Sequence, residues 1–265
     1  MEQKANGSQP IAVFDSGVGG ISVLRELVRI MPNENYIYYG DSANAPYGTR
    51  TLEEVRQLTG THARNLFARG AKGLVVACNT ATSAAVRILR EQYPQIPIVG
   101  IEPAVKPAAN CKEHPRVLVM ATPMTIREEK FQKLMSRYTQ QAEILPLPCP
   151  GLMNFVERCD LDGEDLRHYL NELLYEYRLH PVDAVVLGCT HYPFVRGQIA
   201  EVLGENVQIF DGGEGTAREM RRRLSVCGLL SQSTQKGEVV FDNSLQGEKK
   251  TEKIAMCRQL FLKQF

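Results

Sequence analysis

The chain is predicted to be an α/β protein of two related α/β lobes with mostly parallel sheets and its active site in the cleft between them. Short, near-continuous apolar runs alternate with amphipathic helical patterns along most of the 265 residues, as expected of parallel strands covered on both faces. A succession of strand, small polar group and helix occurs twice: "IAVFDSGVGG" is echoed by "RVLVMATPMT", and "GLVVACNTAT" by "AVVLGCTHYP". Two apolar strands also end in a cysteine followed at once by polar residues, Cys78-Asn79-Thr80 and Cys189-Thr190-His191, where a core has no use for them.

In chain order, the first half reads as strands at "IAVF", "YIYY", "GLVVA" and "IPIVGI", with helices at "GISVLRELVRIM", "TLEEVRQLTGTHARNLFARG" and "TATSAAVRILREQY" between them. The second half repeats this with strands "RVLVMA", "AEILPL", "DAVVLG" and "VQIF" and helices "TIREEKFQKLMSRY", "EDLRHYLNELLYEYRLH" and "PFVRGQIAEVLG". In the tail, "TAREMRRRLSVCGLL" and "TEKIAMCRQLFLKQF" look helical, "GEVVFDN" looks like a strand, and "SQSTQKG" and "NSLQGEKK" look like loops. The predicted organisation is a discontinuous first lobe (11–100 and 211–265), a second lobe (101–210) and a flexible N-terminal tail (1–10).

Composition narrows the function. With 43% hydrophobic and 23% charged residues the chain can bury a core. Lys+Arg 31 against Asp+Glu 30 leaves no basic field, so no nucleic-acid partner is expected. No apolar run of about eighteen residues is present, so no membrane span is expected. The opening "MEQKANGSQP" lacks the apolar centre of a signal peptide. Seven cysteines without a C-x-x-C pair argue against a disulfide framework and a zinc site and for a reducing, cytoplasmic location. Neither a lysine motif for pyridoxal phosphate nor a metal cluster is visible, so no cofactor is expected.

In open parallel sheets, ligands bind beyond the carboxyl ends of the strands, where both Cys78 and Cys189 fall. Inverting a carbon stereocentre by proton transfer needs a base on one face and an acid on the other, and two thiols supply that pair. A free thiol, with a pKa of about 8.5, is only slightly ionised at neutral pH. Help is expected from a helix N-terminus after each cysteine, from His191 beside Cys189, and from Asp15 as proton acceptor or orienting group for Cys78. The helix starts, with Asn, Thr and Ser side chains, suit the carboxylates of an amino-acid diacid. "DSGVGG" has a rival reading as a phosphate loop, but the dinucleotide fingerprint puts Gly where Ser22 stands, and Asp15 opposes a phosphate. Cys111, Cys149, Cys159, Cys227 and Cys257 lack comparable neighbours and read as structural or incidental. His62, His114, His168 and His180 read as surface or capping residues.

At these residues the chain resembles the glutamate racemases, a family within the cofactor-independent aspartate/glutamate racemase superfamily. The likeness runs through "IAVFDSGVGGISVLRE", "YYGDSANAPYGTR", "ACNTATSAA", "GIEPAVKPA", "VVLGCTHYP" and "FDGGEGTARE". The resemblance implies interconversion of L- and D-glutamate for peptidoglycan synthesis by a cytoplasmic homodimer. It implies two-thiol catalysis by Cys78 and Cys189 with Asp15 and His191, and substrate contacts from Asp15, Ser16, Pro46, Tyr47, Gly48, Asn79, Thr80, Thr190 and His191. It also maps a threonine pair to Thr122 and Thr125 and an acidic residue to Glu157. "IREEKFQKL" departs from the Ser- and Tyr-containing pattern common in that family. The alternatives are an aspartate racemase or other two-cysteine isomerase, and a non-enzymatic regulatory binding protein that keeps the fold.

Overall fold

Every residue of strand β1 (Ile11–Asp15) is buried, as a strand paired on both edges and covered on both faces requires. The computed structural model describes residues 6–204 and 206–263. The chain divides into two units, one of residues up to Ile101 together with Gly213–Lys263, the other of Glu102–Gly212. In the first unit β1 is followed by α1 (Ile21–Ile30), β2 (Tyr36–Gly40), α2 (Leu52–Ala68), β3 (Gly73–Val76), α3 (Asn79–Gln92) and β4 (Ile98–Gly100). The second unit carries α4 (Val105–Ala109), β5 (Arg116–Ala121), α5 (Pro123–Arg127), α6 (Glu129–Ser136), β6 (Glu143–Pro148), α7 (Leu152–Glu157), α8 (Glu164–Leu173), α9 (Tyr175–Leu179), β7 (Ala184–Leu187), α10 (Arg196–Leu203) and β8 (Gln208–Asp211). The chain re-enters the first unit with α11 (Gly213–Val226), β9 (Val239–Asn243) and α12 (Gly247–Leu262).

The first sheet has the order β4-β3-β1-β2-β9 and the second β6-β5-β7-β8, with every pairing parallel. Read from its other edge, the second sheet runs β8-β7-β5-β6, so four strands of each unit correspond in order. The register sharpens the internal repeat. Val76 pairs with Phe14 in the first sheet, and Leu187 with Met120 in the second. One residue further, Ala77 N–H donates to Phe14 O and Gly188 N–H to Met120 O, both at 2.7 Å. Ser16 and Thr122 therefore occupy equivalent places, and the counterpart of Asp15 is Ala121.

Several elements depart from the sequence expectation. "TIREEKFQKLMSRY" is not one helix but α5 and α6, parted at Glu128 with φ −66° and ψ 132°. Ile126, Phe131 and Met135 all pack against one apolar cluster. In an unbroken helix Ile126 and Phe131 would point about 140° apart, so the extended residue brings them to one side. "EDLRHYLNELLYEYRLH" likewise breaks at Leu174, after the buried positions Leu166, Leu170 and Leu174, into α8 and α9. The part of "NSLQGEKK" from Gly247 on is the first turn of α12 rather than loop. "TAREMRRRLSVCGLL" begins its helix earlier, at Gly213. Of the expected flexible tail, residues 1–5 lie outside the described residues. Residues 6–10 are instead a turn, with Gln9 N–H donating to Asn6 O, Asn35 Nδ2 to Ser8 O and Lys72 Nζ to Gly7 O. The last two residues of the C-terminal helical pattern also lie outside the described residues.

At the amino-terminal end of the first sheet, the buried ammonium of Lys72 pairs with the buried carboxylate of Glu34, whose other oxygen accepts from Ser231 N–H at 2.8 Å. This pair joins the entry segment, the α1–β2 loop and the segment before β9. Removing one partner leaves a buried charge unpaired, which costs about 3–5 kcal/mol. Lys72→Met or Glu34→Gln is expected to lower the urea midpoint of unfolding by the equivalent of about that amount, and the paired change Lys72→Met/Glu34→Leu to recover most of it.

Candidate active site

Cys78 and Cys189 each lie two residues past the end of a buried strand next to the centre of its sheet, β3 and β7. Both thiols are buried, and neither forms a disulfide. Their surroundings differ.

In the first unit Cys78 is the N-cap of the fourteen-residue α3, with φ −71° and ψ 123°. It thus sits at the positive end of that helix's dipole, where an anion is favoured. Ser16 Oγ donates to Cys78 Sγ at 3.4 Å. Asn79 and Thr80 occupy the first turn, both buried. Asp15 is buried at the end of β1, and its Oδ2 accepts from Gly17 N–H at 3.0 Å. A Cβ at Gly20 would stand 2.6 Å from Asp15 Cβ and 3.0 Å from Ala77 Cβ. Glycine there lets the start of α1 approach the strand ends closely. Pro46 is exposed and Gly48 half-buried, but the Tyr47 side chain is buried and its hydroxyl donates to Asp41 Oδ2 at 2.7 Å. The side of "APYG" available to a ligand is therefore backbone and proline, with the tyrosine ring turned inward.

In the second unit the expectation that an α-helix begins right after Cys189 needs correction. The next element is a short 3₁₀ turn, Tyr192–Val195, with α10 after it. His191 takes the place of the missing helix terminus. Its Nδ1 lies 3.6 Å from Cys189 Sγ and its Nε2 lies 2.9 Å from Glu157 Oε1. Glu157 is delivered by the last turn of α7, so thiol, imidazole and carboxylate form a continuous row. Burial pushes the His191 imidazole down, but its hydrogen bonds to Cys189 and then to Glu157 outweigh burial and raise it well above its ordinary 6.5. Thr190 is buried beside this row. Thr122 caps α5: its Oγ accepts from Thr125 N–H at 3.2 Å and lies 2.9 Å from Thr125 Oγ.

The remaining sulfurs are placed differently. Cys149, at the end of β6, is buried with its thiol donating to Leu147 O, and burial pushes that thiol strongly up. Cys257 is buried in α12, while Cys159 and Cys227 are exposed. Among the described residues no three or more His, Cys, Asp and Glu side chains gather as a metal-holding group, and no helix is long and apolar enough to cross a membrane. One expectation fails for a physical reason: His62 is not a surface or capping residue. It lies on the inner face of α2, with Val55, Thr59, Ala63 and Leu66, and its Nε2 is 2.9 Å from the buried Asp41 Oδ2. That placement is readable from its spacing on the apolar stripe, and that of Asp41 from its position directly after an apolar strand.

The chain is similar in sequence and fold to known proteins. Residues 11–220 match the Asp/Glu/Hydantoin racemase family. A glutamate racemase of Clostridium perfringens is 52% identical over 240 residues, covering 91% of this chain and 92% of that protein. The glutamate racemase isoform RacE1 of Bacillus anthracis superposes with TM-score 0.82 at 30% identity, covering 94% of this chain and 92% of that one. The glutamate racemase of Francisella tularensis, solved in complex with D-glutamate, superposes with TM-score 0.80 at 28% identity, covering 96% and 94%.

A raised imidazole is an electrostatic device with a sign. Its stabilising contribution is fully present below about pH 6.5, the unfolded value, and is lost as pH rises through the higher folded value. Nuclear magnetic resonance of the His191 ring is expected to show a midpoint above 6.5, and Glu157→Gln to move it down. A midpoint at or below 6.5 in the unaltered protein would contradict the Cys189–His191–Glu157 row.

Proposed function

Because the chain belongs to the Asp/Glu/Hydantoin racemase family, we propose that it is a cofactor-independent glutamate racemase, in which Cys78 and Cys189 exchange the α-proton of glutamate on opposite faces. The observation that carries this reading is the matched delivery of two buried thiols, each two residues past a buried strand of its own sheet and each with a different proton-handling neighbour.

In this mechanism one thiolate removes the α-proton and the other thiol returns a proton to the opposite face. The product leaves the two sulfurs with their protonation exchanged. Cys78 takes the proton from D-glutamate and Cys189 from L-glutamate. The N-terminus of α3 and the hydroxyl of Ser16 favour an anion at Cys78. Around Cys189 the same task falls to His191, which can hold the proton released by the thiol, with Glu157 acting through the imidazole as a positioning residue. Asp15 orients groups beside Cys78 or accepts its proton, since a carboxylate does not itself stabilise a neighbouring thiolate. Ser16, Asn79, Thr80, the backbone of Pro46, Tyr47 and Gly48, and Thr122, Thr125, Thr190 and His191 contact the substrate. The D-glutamate formed serves peptidoglycan synthesis, and the working form is a cytoplasmic homodimer.

Circular dichroism of L-glutamate incubated with the pure protein tests the activity. Signal is expected to decay toward the racemic value, faster than with aspartate, and to do so equally after dialysis against EDTA. Loss on chelation, restored by a metal, would overturn the cofactor-independent reading. Cys78→Ala and Cys189→Ala are each expected to lower racemisation in both directions by at least the ~10²–10⁴-fold typical of a lost general acid or base. In heavy water Cys189→Ala is expected to retain slow α-proton exchange of D-glutamate, and Cys78→Ala that of L-glutamate.

A further inference from the structure

Asp41 directly follows β2, one residue past Gly40, the register partner of Asp15, and the two carboxylate residues are linked: Asp41 N–H donates to Asp15 O at 2.9 Å. Unlike Asp15, Asp41 turns its carboxylate toward the loop that carries Pro46 and Gly48. Asn44 Nδ2 donates to both of its oxygens, at 3.0 and 3.1 Å, and Tyr47 Oη donates to Oδ2 at 2.7 Å. Within the same loop Arg50 Nε donates to Asn44 O at 2.6 Å and Thr49 Oγ to Pro46 O at 3.1 Å. The loop is thus folded around one buried carboxylate.

That carboxylate also faces His62 of α2. The imidazole is flanked by the rings of Phe14, centroids 5.5 Å apart, and Tyr39, 4.9 Å apart, and its Nε2 lies 2.9 Å from Asp41 Oδ2. The approach is off the axis of a well-formed hydrogen bond, so it acts as a close polar contact that aromatic packing holds in place. Phe14 also packs on Tyr47, centroids 6.3 Å apart. Helix α2, which begins directly after the loop at Leu52, therefore also reaches back to the loop's tip from His62 through one imidazole and one carboxylate.

We propose that His62 is a positioning residue for the substrate-binding loop: through Asp41 it holds the Tyr47 hydroxyl, and so sets the backbone of Pro46–Gly48 against the ligand. The proposal rests on the glutamate-racemase reading for its consequence in catalysis but not for the structural linkage itself. His62 touches no reacting atom. Its loss frees the carboxylate to shift toward Asn44 or to draw water, and the tyrosine hydroxyl follows.

The test uses the whole protein with His62→Leu, an apolar side chain that fits between Phe14 and Tyr39. Hydrogen–deuterium exchange of the ligand-free protein is expected to accelerate by about tenfold in residues 43–51, with the rest of the first unit within about twofold. In racemisation, KM for glutamate is expected to rise about tenfold with kcat within about threefold, the pattern of lost uniform binding. Tyr47→Phe is expected to raise KM similarly, and the double variant no further than either alone, because both act through Asp41. If His62→Leu is not recovered folded, His62→Gln takes its place, with the same localised pattern at about threefold. Unchanged exchange in residues 43–51, exchange raised evenly across the unit, or additive effects in the double variant would overturn the proposal. An unaltered protein inactive on glutamate would defeat the racemase reading, while the exchange data would still decide the role of His62.

Discussion

A thiol placed just beyond the carboxyl end of a parallel strand that is buried on both faces can meet a ligand only from beyond the sheet edge. Much of each unit follows from that constraint. β3 and β7 must be apolar throughout to sit next to the centre of their sheets, so the first polar chemistry they can offer comes after the last paired residue. Neighbouring strand ends then become the source of companions: Asp15 and Ser16 from β1 for Cys78, Thr122 from β5 beside Cys189's strand. The close approach at Gly20 serves the same crowding of strand ends and helix starts.

The two units share a strand order and a register, yet they solve the thiol's electrostatics differently. Around Cys78 the support is a helix N-terminus and a serine hydroxyl. Around Cys189 no α-helix starts, and a buried imidazole backed by a carboxylate stands there instead. The register makes the difference specific: the place of Asp15 is held by Ala121, and the place of Thr80 by His191. Duplicated scaffolds with unequal proton acceptors suit a reaction whose two directions start from different faces of one carbon.

The inner strands β1, β3, β5 and β7 were the most legible part of the sequence because parallel strands buried on both faces carry unbroken apolar runs. The two cysteine motifs were legible for the converse reason: polar residues closing such runs have no packing role. The helix breaks at Glu128 and Leu174 were not, since local helical preference continues across both and only packing against the sheet decides. The role of Glu157 could not be read from its neighbours, because its partner lies 34 residues on in the chain. The expectation of a surface or capping role for His62 fails although its spacing places it on the buried stripe of α2. A histidine there stands 2.9 Å from a buried carboxylate whose proximity the sequence does not reveal.

The central claim, proton removal on one face and delivery on the other by two separate thiols, is tested most directly by following racemisation in heavy water. L-glutamate is incubated with the unaltered protein, and both enantiomers are analysed by mass spectrometry at early times. Two thiols that exchange with solvent between turnovers predict that the D-glutamate formed carries solvent deuterium at the α-carbon, while the remaining L-glutamate stays largely unlabelled. D-glutamate that keeps the original α-proton, or label appearing equally in both enantiomers from the outset, would contradict the account.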